Sequence, residues 1–226
     1  MTTVDTARAA NLSRPVLFAD GAILVLAACG LGALIFFRAE PFAIDVAWNA
    51  LLFSADIPRF TAFSQVMNFL GAGWFSIFAL PIAIALVLVL LKRPWSAAFF
   101  ITAQLASAGA VQVLKHLFGR ARPEEIIVIS DFGSFPSGHV ANAATLATVA
   151  YILFPRLFVA IIGGVYVVLM AISRTALHAH WLTDTIGGAL IGIGVVMIVA
   201  GIFAPKLIHE RPGVRASARP GSTAPQ

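Results

Sequence analysis

Charge is scarce in this chain. Asp, Glu, Lys and Arg make up 11% of its 226 residues, against about a quarter in an average soluble protein. A soluble domain large enough to count separately is therefore excluded. Cysteine is nearly absent: Cys29 stands alone, which rules out an intramolecular disulfide and leaves the compartment unreadable from cysteine. There is no internal repeat, no sustained heptad pattern and no Gly-rich nucleotide loop. Solenoids, coiled coils and loop-bound nucleotides drop out with them.

What is abundant is apolar sequence, with 60% of residues drawn from AVILMFWYC. Several runs approach the roughly 20 residues that an α-helix needs to cross a bilayer. The pattern predicts spans near 16–37, 71–91, 95–118, 138–154, 157–173 and 183–204. The fourth and fifth are short and meet at Pro155-Arg156, as in a tight hairpin. The expected fold is all-α: a polytopic membrane bundle of about six transmembrane helices over residues 15–208. A loose cytoplasmic N-terminus (1–14) and a disordered cytoplasmic tail rich in Pro, Gly, Ser and Arg (209–226) flank it.

Residues 39–70 are too polar to cross but keep helical periodicity. Ile44, Trp48, Leu51 and Leu52 share one face, with Asp45 and Asn49 off it, and Phe60, Phe63 and Met67 form a second stripe after Pro58. These predict short helices lying in the membrane interface, which would also wall the entrance to a site. Pro81 is tolerable within a span. Gly163, Gly164, Gly187, Gly188, Gly192 and Gly194 favour close helix approach.

The formal charge of +5 is a topology signal, not a nucleic-acid footprint. Six spans put both termini on one side, with Arg8, Arg14, Lys92, Arg93, Arg156, Lys206, Arg211, Arg215 and Arg219, nine of the fifteen Lys and Arg. The positive-inside rule makes that side cytoplasmic and the opposite face external. Leu26-Ala27-Ala28-Cys29 has the form of a lipoprotein cleavage site, but Asp20 interrupts the apolar stretch and the run continues to Phe37. That is too long for a signal peptide, and Cys29 reads as a small buried residue.

On the external face lie three blocks: Lys115-x6-Arg122-Pro123, Pro136-Ser137-Gly138-His139 and Ser173-Arg174-x5-His180-x3-Asp184. Ionisable groups at membrane depth default to function. Lys115, Arg122 and Arg174 can pair with the oxygens of a phosphate, Arg as a fork and Lys as a point charge. Ser137 is placed to cap a helix over Gly138 and His139, whose free N–H groups favour an anion. Asp184, four residues after His180, is expected to accept from its Nδ1–H and leave Nε2 free. His180 then becomes the nucleophile and His139 the acid, later the base.

Weaker readings of the same residues exist. A metal set of His178, His180 and Asp184 is disfavoured because His178 should point away. Ser137 as nucleophile lacks a base at local spacing. His116 and Arg120 read as interfacial residues, and Glu124, Glu125 and Asp131 as a solvated acidic loop. No metal and no cofactor is expected.

The three blocks resemble the signature of the type 2 phosphatidic acid phosphatase (lipid phosphate phosphatase) superfamily. They match at Lys115, Arg122, Pro123, Pro136, Ser137, Gly138, His139, Ser173, Arg174, His180 and Asp184. The resemblance implies a helical bundle, phosphohistidine chemistry and a site at the outer leaflet of a plasma membrane. The implied partners are a lipid phosphate substrate and membrane lipids, with no nucleic acid and no obligate protein partner. Undecaprenyl diphosphate heads the substrates that the family suggests, with phosphatidate and phosphatidylglycerophosphate next and lipid A as a further case. A vanadate haloperoxidase is disfavoured by the membrane spans, and a non-catalytic lipid-phosphate binder or transporter would need neither histidine.

Overall fold

A computed structural model describes residues 13–55, 58–71 and 73–210, and all regular structure among them is helical. The expected N-terminal and C-terminal loose segments fall almost wholly outside these residues. In chain order the helices are α1 (Arg14–Arg38), α2 (Ala43–Ala55), α3 (Pro58–Gly71), α4 (Leu80–Leu90), α5 (Pro94–Phe118), α6 (Gly138–Leu153), α7 (Leu157–Ala176) and α8 (Leu182–His209). A π-helical turn, Phe75–Ala79, leads into α4. Helices α1, α5, α7 and α8 are long and apolar enough to cross a bilayer. A fifth crossing results if α3 and the π turn with α4, bent by 43° at their break, form one span.

Two of the six expected spans are therefore shorter than hydropathy predicted. The first is 71–91. Pro81 cannot donate to the carbonyl one turn back and its ring crowds that turn. The backbone widens into the π turn just before it, the usual adjustment at such a point. The second is 138–154, where α6 has only 16 residues. It is packed between α5, α7 and α8, so its environment is mostly protein. The two helices predicted in 39–70 are present as α2 and α3.

The bundle shows large apolar side chains on its outer surface as well as in its core, where Phe99, Phe100, Phe135 and Ile191 are buried. Leu26, Leu105, Leu157, Ile162 and Ile202 are all more than half exposed, as suits a surface solvated by lipid. Helix α8 is the central post, packed on α1, α5 and α6. Its glycines permit this: a Cβ at Gly188 would stand 2.4 Å from the Ser137 carbonyl, and one at Gly192 2.4 Å from that of Ala141. Gly194 meets Gly21 of α1 in the same way. Gly163 is tight against Ala147, whereas Gly164 faces open space and has no such role. The C-terminal ends of α5 and α7 and the N-terminal ends of α6 and α8 meet at one end of the bundle.

Candidate active site

At that end is a cavity of about 490 Å³ whose lining includes Lys115, Arg122, Gly138, His139, Arg174 and His180. Residues from all three sequence blocks thus reach one space. Ser137 and Asp184 stand directly behind it, both fully buried.

Each cation is held by what surrounds it. Lys115, in the last turn of α5, donates to the Gly133 carbonyl at 2.7 Å and pairs with Asp131 at 3.1 Å. Gly133 has φ +68°, and an added Cβ would lie 3.0 Å from the Lys115 carbonyl, so only glycine suits this close pass. Arg122 donates to the carbonyls of Ala179, Asp131 and Gly133 and to the Asp131 carboxylate. Arg174 donates through Nη1 to the Asn68 side chain on α3, and its buried Nε has no partner. Burial alone would raise the Asp131 carboxyl. Lys115, a hydrogen bond from Gln112 and the charge of Arg122 outweigh it and hold the group below the ordinary carboxylate range. Asp131 is thus the counter-ion of two site cations rather than part of a purely solvated loop.

The imidazole of His180 is set differently from expectation. Its Nδ1 lies 2.7 Å from the Ser134 carbonyl, and Asp184 is 3.6 Å away. The reason is the helix boundary: α8 begins at Leu182, so His180 precedes it and the i,i+4 face-sharing of a helix does not apply. Asp184 instead turns back to accept from the Trp181 N–H at 2.9 Å, and its other oxygen takes Arg120 at 2.5 Å. The Ser134 carbonyl can only accept, so this network assigns the proton to Nδ1. Nε2 is left as an acceptor, 3.3 Å from an Arg122 N–H. Burial, and then the charges of Arg174, Arg122 and Lys115, push this imidazole well below the ordinary histidine value.

That last point predicts a pH dependence. Protonating His180 would remove the Nε2 lone pair, and the lowered value means this happens only at more acid pH. In a phosphatase acting through His180, the acid limb of kcat/KM, which reports the free enzyme, should lie below about 6.5, the ordinary histidine value, once the second ionisation of the phosphate substrate is divided out. A limb centred at or above neutrality would contradict a free-base His180.

His139, in the first turn of α6, has its Nε2 3.3 Å from the Asn68 carbonyl. Ser137 occupies the N-cap position with extended backbone but makes no capping bond. Its N–H is spent on the Asp184 carbonyl, and its buried hydroxyl has no partner. The turn therefore offers a phosphate the N–H groups of Gly138 and His139, which lack intrahelical acceptors, and one hydroxyl.

Sequence reasoning missed several members. Arg120, expected at the interface, is buried between two carboxylates: Nη2 meets Asp45 at 2.7 Å and Nη1 meets Asp184. Asp45, expected off the apolar stripe of α2, is fully buried and also accepts from the N–H and hydroxyl of Thr183. In an apolar solvent the polar side of α2 turns to the protein, while Ile44 and Leu51 stay exposed. Asn68 and Ser134 were likewise unmarked. His178 does point away, bonding Asn49 at 2.7 Å. Among the described residues no group of three or more His, Cys, Asp and Glu side chains converges as a metal set.

A family model for the PAP2 superfamily matches residues 93–207. Phosphatidylglycerophosphatase B of Bacillus subtilis is 38% identical over 100 residues, covering 40% of this chain and 49% of that protein. A lipid A 1-phosphatase of Rhizobium johnstonii is 29% identical over 121 residues, 49% of each chain. The matches span about half the length of these curated relatives. The crystal structure of a transmembrane PAP2-type phosphatidylglycerolphosphate phosphatase from Bacillus subtilis superposes with a TM-score of 0.69 at 28% identity, over 81% of this chain and 95% of that one. That of Aquifex aeolicus LpxE gives 0.60 at 26% identity, over 74% and 98%.

Proposed function

The chain belongs to the PAP2 superfamily, and from that premise we propose that it is a membrane phosphatase that hydrolyses a phosphate ester or pyrophosphate of a lipid. The observation that carries the reading is a pair of leftover donors, one on a cavity-lining residue and one just behind it. The Arg174 Nε and the Ser137 hydroxyl are buried with no partner of their own, as a phosphate oxygen would require. The site ends of the helices face the periplasmic or extracellular side, following the bias of Lys and Arg toward the other end.

In the first step the Nε2 lone pair of His180 bonds to phosphorus as the P–O bond to the lipid breaks. His139 gives its proton to the departing lipid oxygen. In the second, His139 takes a proton from water, whose oxygen attacks phosphorus and breaks the P–N bond to release phosphate. The Ser134 carbonyl, on Nδ1–H, keeps Nε2 aimed and compensates the charge that develops on the ring. Lys115, Arg122 and Arg174 take the charge spread over the equatorial oxygens.

Because three fixed cations do the work often given to magnesium, phosphate release by the purified protein in detergent should be unchanged by excess EDTA. Loss of activity in EDTA, restored by a divalent metal, would overturn this charge assignment. Release of no phosphate from any lipid would favour the alternative, a lipid-phosphate binding protein. Among substrates, undecaprenyl diphosphate is kept from the sequence reading. The names of the relatives favour acylated lipids, phosphatidylglycerophosphate and lipid A.

A further inference from the structure

The cavity is not uniformly apolar beyond its cationic mouth. One wall carries a belt of amides and hydroxyls formed by Gln104 of α5, Asn142 of α6 and Ser76 of the π turn, all lining the same space. Gln104 Nε2 donates to Asn142 Oδ1 at 3.1 Å. Asn142 Nδ2 donates in turn to Ser76 Oγ at 3.0 Å and to the Gly71 carbonyl at 3.2 Å. Both polar ends of Asn142 are thereby occupied and its orientation fixed. Gln104 is different: its second N–H and its carbonyl oxygen have no partner among the described residues. Around the belt the lining is hydrocarbon, including Ile77, Phe78, Pro81, Ile82, Ile101 and Leu105.

Depth places this belt just below the phosphate. Asn142 follows His139 by three residues on α6, about 4.5 Å along the axis. In an acylated glycerol or acylated sugar phosphate, the ester or amide carbonyl lies a few bonds from phosphorus, where hydrocarbon begins. A polyprenyl monophosphate has nothing polar at that depth, and entering would leave the Gln104 amide buried and unpaired, which costs more than the hydrogen bond is worth when made. A polar side chain could serve only to join α5 to α6, but that task uses one N–H of Gln104 and leaves the rest directed at the lumen.

We infer that Gln104, braced by Asn142 and Ser76, reads an acyl carbonyl of the substrate and so favours acylated lipid phosphates over polyprenyl monophosphates. This rests on the proposed phosphatase activity. Neither composition nor the three blocks draw this distinction, since they do not contain the belt.

The test is a four-way comparison of kcat/KM in mixed micelles. Wild type and Gln104→Met are each given dioleoyl phosphatidate and its dialkyl ether analogue, which has the same charge and chains but no carbonyls. Wild type should prefer the ester by about fivefold, the worth of one neutral hydrogen bond. Gln104→Met should lose that preference, falling on the ester and changing little on the ether. A C55 polyprenyl monophosphate should track the ether lipid. Equal losses on both lipids would mean that Gln104 only packs, and would overturn the inference. Should the variant fail to fold, the wild-type pair decides alone, because equal rates on ester and ether also overturn it. Wild type that releases phosphate from none of the three, nor from phosphatidylglycerophosphate, lipid A or undecaprenyl diphosphate, removes the phosphatase reading and this inference together; wild type that cleaves all three alike removes only the inference.

Discussion

If His180 is the nucleophile, as proposed, His180→Ala should abolish phosphate release, by about a thousandfold or more, because the cavity offers no substitute for it. The cationic Arg122 and Lys115 hold no lone pair to attack with, and the Nε2 of His139 is engaged with the Asn68 carbonyl. The chemistry also distinguishes the two histidines. With a lipid phosphate labelled at phosphorus and rapid acid-free quenching, wild type should show a transient protein label that is stable to base and labile to acid, as a phosphoramidate is. His180→Ala should show none. His139→Ala should lose turnover on a lipid to a similar extent, since an alkoxide leaves poorly without a proton. On p-nitrophenyl phosphate, whose leaving group needs no proton, it should still form the label and then retain it, because the water step lacks its base. A His180→Ala protein keeping more than about one part in a hundred of activity would contradict the nucleophile assignment.

The parts of this site that could be read from sequence are those whose spacing is local. Lys115 and Arg122 straddle a helix end marked by Gly119, with φ +53° and its N–H on the Lys115 carbonyl. Pro136 to His139 open a helix, and the four helix ends were all located within a few residues. What was not legible depends on partners far apart in the chain. Asn68 reaches Arg174 across 106 positions, and Asp45 reaches Thr183 across 138. No periodicity connects such pairs. The one available signal was physical: Asp45 sits beside an apolar stripe in a membrane protein, where an unpaired carboxylate would be costly, so a cation had to meet it. The tautomer of His180 was anticipated, but its hydrogen-bond partner was not. A helical face was extended two residues beyond the helix, and the Ser134 carbonyl, with no side-chain signature, lies nearest the ring nitrogen assigned to Asp184. The break before Pro81 was likewise hidden by hydropathy, which scores a kinked run as it does a straight one.

Replacing Arg120 should be nearly as damaging as replacing a group that touches phosphate, although Arg120 does not line the cavity. It stands between Asp45 and Asp184, both fully buried, and its Nη1 also donates to Thr183 Oγ1 at 2.8 Å. Removing it leaves two carboxylates facing each other away from water. Breaking a buried pair in this way costs about 3–5 kcal/mol, so Arg120→Ala should show a much lower unfolding temperature in detergent. It should also lower kcat, by about a hundredfold on the scale of lost orienting partners, with KM changed far less, because Asp184 backs His180 while the phosphate cations stay in place. Arg120→Lys should recover stability better than kcat: a point charge can neutralise the pair but cannot fork between two carboxylates. Asp45→Asn separates scaffold from positioning. It removes the outer carboxylate and keeps the Arg120–Asp184 contact, so it should cost stability while retaining most of kcat. If instead Asp45→Asn and Arg120→Ala lower kcat equally at matched stability, Asp184 owes its aim to the seating of α2 and not to the guanidinium that touches it.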